Sequence, residues 1–97
     1  MIRLEFSPES ELDLMEIAAF IARDNPARAR SFVDELEADC GRLTTQPGIG
    51  APRPELGAGV RMLPHGRYLI FYRANGDVVR IARVLHSARD LETAFYL

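Results

Sequence analysis

The side chains able to do chemistry are few, and most of them are arginines. His65 and His86 are the two histidines, Cys40 is the lone cysteine, and all twelve basic residues are Arg. The absence of lysine removes Schiff-base chemistry and a lysine general acid. No Gly-rich phosphate loop, His-Glu-x-x-His pair, nucleophile elbow or paired cysteines occur, so no metal and no cofactor is expected. Arg67, Arg83 and Arg89 lie near strand ends or a helix start, where their forks can converge on a phosphate or carboxylate. Structural salt bridges to Asp90, Glu92 or Glu55 would serve the same three arginines as well. Arg83 interrupts the Val79–Ile81–Leu85 face, so it is either paired in the interior or exposed for use. His86, at the junction of the last strand and the last helix, either holds that junction by a hydrogen bond or touches a ligand. His65 reads as a solvated turn residue, and Cys40 as a buried small hydrophobe. Tyr68, Phe71 and Tyr72 read as core, with nucleotide stacking the minor reading.

Charge is distributed unevenly around a net −2. Residues 1–45 carry five Arg against ten Asp and Glu, and residues 46–97 carry seven Arg against four. This polarity points to a cationic second half facing an anionic partner, or to scattered solubilising charges. Ninety-seven residues, 47% hydrophobic and 27% charged, suit one globular domain over 1–97. No apolar run reaches the roughly 20 residues of a membrane span. The N-terminus lacks the charged-then-apolar layout of a signal peptide, so a cytoplasmic location is expected, with no membrane partner.

The elements that must position these groups follow from periodicity. Ile2, Leu4 and Phe6 alternate with Arg3 and Glu5 as in a half-buried strand. Ser7-Pro8 reads as an N-cap and first helical residue. Leu12, Met15, Ala19 and Ala22 recur at helical spacing, with Leu14, Ile17, Ala18 and Ile21 widening the stripe toward contacts on two sides. Asn25-Pro26 starts a second helix, whose face is Ala29, Phe32, Val33, Leu36, Cys40 and Leu43. Gln46 to Gly59 is an irregular loop of a length usually functional or mobile. Three strands follow: Val60–Leu63, Arg67–Arg73 and Val78–Leu85, with Asn75-Gly76 as a type I′ hairpin turn. Val79, Ile81 and Leu85 are assigned to one face of the last strand, and Val78, Ala82 and Val84 to the other. Ser87 to Asp90 reads as a capping box opening a short C-terminal helix. The expected fold is α+β: an N-terminal strand, then a two-helix antiparallel hairpin packed on a small, largely antiparallel sheet, in the order β-α-α-β-β-β-α.

Three segments, taken in order, carry a resemblance. They are Pro47-Gly48-Ile49-Gly50-Ala51-Pro52-Arg53-Pro54-Glu55-Leu56, then Arg61 with Arg67-Tyr68-Leu69-Ile70-Phe71-Tyr72-Arg73, then Arg83-Val84-Leu85-His86-Ser87-Ala88-Arg89-Asp90. With the helical hairpin ahead of them, they resemble ParE-type toxins of bacterial type II toxin–antitoxin systems, within the RelE/ParE superfamily. The resemblance implies a toxin held inactive in a hetero-oligomeric complex by a ParD-like antitoxin, whose disordered, acidic-apolar C-terminal tail folds on binding. It implies DNA gyrase as target, by binding rather than catalysis, without sequence-specific nucleic-acid recognition. Arg61, Arg67, Arg83, His86 and Arg89 are the expected target-binding residues. Leu12, Met15, Phe20, Arg53 and Leu56 are the expected antitoxin contacts. The alternative implied by the RelE branch is a ribosome-dependent mRNA endonuclease using His86, Arg89 and Tyr96. An inactive scaffold is a third reading.

Overall fold

The computed structural model describes residues 1–89 and Leu91. Strand β1 (Arg3–Phe6) leads into helices α1 (Pro8–Ala22) and α2 (Pro26–Arg42), then β2 (Ala51–Pro52), a 3₁₀ turn (Pro54–Leu56), β3 (Arg61–His65), β4 (Tyr68–Asn75) and β5 (Val78–His86). This is an α+β arrangement of two helices and one five-stranded sheet in the order β1-β5-β4-β3-β2. Among the described residues only the β1–β5 pairing is parallel, so the sheet is largely antiparallel, as expected. Both helices start where the sequence places them. Ser7 Oγ accepts from Ser10 N at 3.0 Å and Asn25 Oδ1 from Arg28 N at 3.0 Å, each meeting a donor that a helix start leaves orphaned.

The sheet has two apolar faces. One packs on the helices through Tyr72, Ile70, Val79, Ile81 and Val84 against Ile17, Phe32, Leu36, Cys40 and Leu43. The other gathers Phe71 and Leu85 under Leu56 and Val60 from the connecting loop. Burial on both sides is why β4 reads as a continuous apolar run. Cys40 is fully buried as expected, and desolvation pushes its thiol up to about 12, which leaves it inert.

Three sequence expectations need correction. The β4–β5 turn is centred on Gly76-Asp77, because Asn75 pairs with Val78. Gly76 has φ +59° and Asp77 does not have positive φ, the pattern of a type II′ turn with glycine at its first central position. The β3–β4 turn repeats this with Gly66 at φ +58°, and β3 runs on through Pro64 to His65. Pro64 is tolerated because β2 pairs only with Arg61 and Met62, which leaves that part of β3 on an open edge. The third correction concerns β5. Phe71 pairs with Arg83 and Tyr72 with Ile81, so Ala82 is an extra residue, a bulge. The bulge shifts the alternation: Val79, Ile81 and Val84 face the helices and Leu85 the opposite side. Finally, the two-residue β2 and the 3₁₀ turn give the 46–59 loop structure that its Gly and Pro content concealed.

Candidate functional site

Strand β1 ends at Phe6, opposite Ile81, and so leaves the second half of β5 without a neighbouring strand. The start of α1 takes that place. Ser7 N donates to Ile81 O at 2.9 Å, and its hydroxyl donates to Ala82 O at 2.7 Å. Asp13, six residues on, accepts from Val84 N at 2.9 Å and from the Arg83 guanidinium at 2.8 and 2.9 Å. Backbone groups exposed by the bulge are thereby satisfied, as burial requires. Hydrogen bonding to Asp13 raises the Arg83 pKa above its ordinary value, against the opposing effect of desolvation. Arg83 is therefore held by the interior pair, and its assignment to target binding is corrected. The guanidinium fastens helix to strand.

Beyond this lock, β5 ends at His86 beside the β3–β4 turn. Ser87 N donates to Arg67 O at 2.8 Å, tying the two together. His86 Nδ1 accepts from Ala88 N at 3.1 Å, so the neutral ring carries its hydrogen on Nε2 and presents a donor. The capping box expected over Ser87 to Asp90 reaches beyond the described residues. Asp90 and the remainder of that helix except Leu91, Tyr96 included, lie outside the described residues. His86 stands edge-on to Tyr68 at 5.2 Å, and Tyr68 meets Phe32 at 5.5 Å. His86 and Arg89 share a depression of ≈ 170 Å³ with Asp13, Glu16 and Phe20. An adjoining cleft of ≈ 430 Å³ joins Arg67 and His86 to Phe20, Phe32, Tyr68 and Arg28. Arg67 and Arg89 thus border two different hollows that share His86.

Arg61 does not join them. It sits at the opposite end of β3, donating to Gly50 O at 2.7 Å and Gly48 O at 3.3 Å. Tyr72 acts with it, receiving Gly50 N–H at 2.9 Å and donating to Pro47 O at 2.7 Å. A Cβ on Gly50 would lie 2.6 Å from the Tyr72 hydroxyl, so this close approach requires glycine.

Among the expected antitoxin contacts, Leu12, Met15 and Phe20 are 58, 67 and 62% exposed, unusual for such side chains on one helix. Met15 also lines a groove of ≈ 350 Å³ formed with Phe6, Leu14, Ala18 and Val33 and rimmed by Glu11 and Glu37. Leu56 is only 4% exposed and packs in the second core cluster, so it is removed from the contact set. Arg53 is half-buried, donating to Glu55 at 2.6 Å.

His65 is the residue most misjudged from sequence. Far from a solvated turn, it bridges Asp39 (Nδ1–Oδ2, 2.6 Å) and Glu35 (Nε2–Oε1, 3.1 Å) and meets the Phe32 ring at 5.3 Å. Ionised carboxylates only accept, so an imidazolium satisfies both. The available signal was Glu35 and Asp39 at i, i+4 on α2, which puts two acids on one helical face.

Comparison with known proteins decides the lineage. Residues 4–91 match the model of the family described as the ParE toxin of the type II toxin–antitoxin system parDE. The chain belongs to the ParE toxin family. It is 38% identical over 63 residues to Toxin ParE1 of Caulobacter vibrioides, an alignment covering 65% of this chain and 65% of that relative, slightly under two-thirds of its length. In structure, the ParE-family fold superposes on a chain of the chromosomal ParDE toxin–antitoxin system of P. aeruginosa. The TM-score is 0.75 at 24% identity, covering 89% of this chain and 96% of that one. It also matches a chain of the RelBE2 toxin–antitoxin complex of Mycobacterium tuberculosis, with TM-score 0.61, 26% identity, and 88% and 96% coverage. Among the described residues, no helix is long and apolar enough to cross a membrane.

Proposed function

We propose that this ParE-family toxin acts by binding DNA gyrase and that a ParD-like antitoxin neutralises it in a hetero-oligomeric complex. The observation that carries the antitoxin half is the uncovered apolar face of α1, with Leu12, Met15 and Phe20 beside the groove at Met15. A tail that folds on contact would lay its apolar side there. Because Glu11 and Glu37 rim the groove and no basic side chain among the described residues lines it, the segment seated in it carries Lys or Arg flanking its apolar anchors. Acidic stretches of the tail belong nearer Arg67 and Arg89. Titrating the toxin with antitoxin, intact and with its C-terminal tail deleted, tests this arrangement. Affinity should collapse on deletion, and unchanged affinity refutes it.

For the target, Arg67, His86 and Arg89 form the donor-bearing end of the molecule, whereas Arg61 and Arg83 hold structure. Action by binding is supported by the His86 geometry: with Nδ1 occupied by Ala88 N–H, the neutral ring offers a proton and has no lone pair free to take one. Supercoiling and cleavage-complex assays with purified gyrase should show inhibition by the wild type and loss with Arg67→Ala and Arg89→Ala.

A second reading has one observation in its favour: His86 and Arg89 line one open depression. Ribosome-dependent mRNA cleavage lost in His86→Ala and Arg89→Ala, with gyrase unaffected, would establish that nuclease.

A further inference from the structure

We propose that the cleft between the C-terminal half of α1, the start of α2 and the β3–β4 turn is a binding site for an unpaired nucleotide of single-stranded nucleic acid. Its lining is aromatic: Phe20, Phe32, Tyr68 and His86 all border it, with the Tyr68 ring 5.5 Å from Phe32 and 5.2 Å from His86. Phe20 is 62% exposed and His86 is exposed, so each leaves ring surface uncovered. Such surfaces stack on any base, because every base presents a π-face. The volume of ≈ 430 Å³ admits one nucleoside and no duplex.

Charge selects an anion. Among the described residues, Arg28 and Arg67 are the charged groups lining the cleft, and no carboxylate lines it. Arg28 is joined to Glu35 at 2.6 Å and lies over the Phe32 ring at 5.1 Å, so its guanidinium is fixed at the rim. Arg67 makes no salt bridge with any described residue. It is exposed at the turn, where a planar fork can take a phosphate through two hydrogen bonds. The His86 Nε2–H adds a donor able to meet a base carbonyl or a sugar oxygen. In the adjoining depression, the acids are Glu16 and Asp13, the latter neutralised by Arg83. An anionic strand leaving the cleft therefore passes on the Arg67 side, away from Glu16.

A flat aromatic unit carrying a single phosphate answers both halves of this surface, and phosphate alone answers only one. The inference does not depend on gyrase being the target: nucleotide titration reads it, and supercoiling assays read the other. The test uses the full-length chain with hexameric oligo(dT) and oligo(dA), a 6-base-pair duplex, AMP, and ribose 5-phosphate, followed by calorimetry and by the ring resonances of Tyr68 and His86.

Single strands should bind saturably, with those resonances shifting, and AMP more weakly at the same place. Phe20→Ala and Arg67→Ala alter exposed residues, so the fold survives, as the thermal midpoint will verify. Each should weaken single-strand binding about tenfold, the size expected for one lost stacking or phosphate contact. Salt dependence should fall in Arg67→Ala and stay unchanged in Phe20→Ala. The proposal is overturned if ribose 5-phosphate binds as well as AMP, if duplex binds as well as single strand, or if neither substitution changes affinity.

Discussion

The loop at residues 46–59 and the outer face of α1 both stand out in the sequence, and the fold uses them in opposite ways. The loop, rich in Gly and Pro, has the composition of a working segment, yet much of its backbone is engaged internally. Tyr72 and Arg61 hold its first half, and Leu56 plugs the core beneath its second. The helix has an ordinary apolar stripe, but only its inner side, Ser10, Asp13 and Ile17, is buried. Its outer side presents Leu12, Met15 and Phe20 to solvent. An irregular segment made of satisfied groups is architecture, and a regular helix with uncovered apolar groups is an interface in waiting.

That contrast can be broken by substitution. The largest effect belongs to Asp13→Ala, which leaves the Arg83 guanidinium and Val84 N–H without their carboxylate. Breaking one partner of a buried pair should lower the unfolding free energy by about 3 kcal/mol in a denaturant titration. A loss under 1 kcal/mol would show that the lock is replaceable. Next comes Tyr72→Phe, which keeps the ring but strands Gly50 N–H and Pro47 C=O, at a cost of about 2 kcal/mol. Hydrogen exchange should then increase at Gly50 while β4 stays protected. If the loop were a mobile functional element, the variant would scarcely differ from wild type.

The outer face should behave conversely. Leu12→Ser or Met15→Ser should shift stability by no more than about 0.5 kcal/mol. The same changes should cost roughly 2 kcal/mol in antitoxin affinity, measured by calorimetry. Stability loss without affinity loss would make this face structural. The smallest effect is at Glu35, whose carboxyl is lowered first by the hydrogen bond from Arg28 and then by that from His65. A carboxyl lowered on folding stabilises the protein at pH above its unfolded value and loses that contribution as pH falls through the folded one. Glu35→Gln should therefore remove part of the acid sensitivity below about pH 4.5, with no matching change in alkali.

Much of the scaffold was legible, because caps and periodicity are local. Ser7-Pro8 and Asn25-Pro26 announce both helices, and the apolar run at residues 67–73 announces a central strand. The bulge at Ala82 left one mark in the sequence, Arg83 where the Val79–Ile81 alternation calls for an apolar residue, but that mark alone does not tell a slipped register from a paired interior arginine. The glycine of each hairpin turn was visible, but its place within the turn depends on which residues pair. The site was read less well, since convergence is a tertiary property. Arg67 and Arg89 each border a hollow with His86, whereas Arg61 and Arg83, grouped with them by residue type, find partners elsewhere. His65 was missed because its two acids lie 26 and 30 residues earlier, on another element.

The central claim is that this ParE-family chain acts by gripping a partner through the Arg67–His86–Arg89 end. Its most direct test is a side-by-side assay of the purified protein on gyrase supercoiling and on mRNA in translating ribosomes, with Arg67→Ala, Arg89→Ala and His86→Ala alongside. The account predicts gyrase inhibition that fades in the arginine variants, with transcripts left intact. Transcript cleavage that requires His86, with gyrase running at full rate, would contradict it.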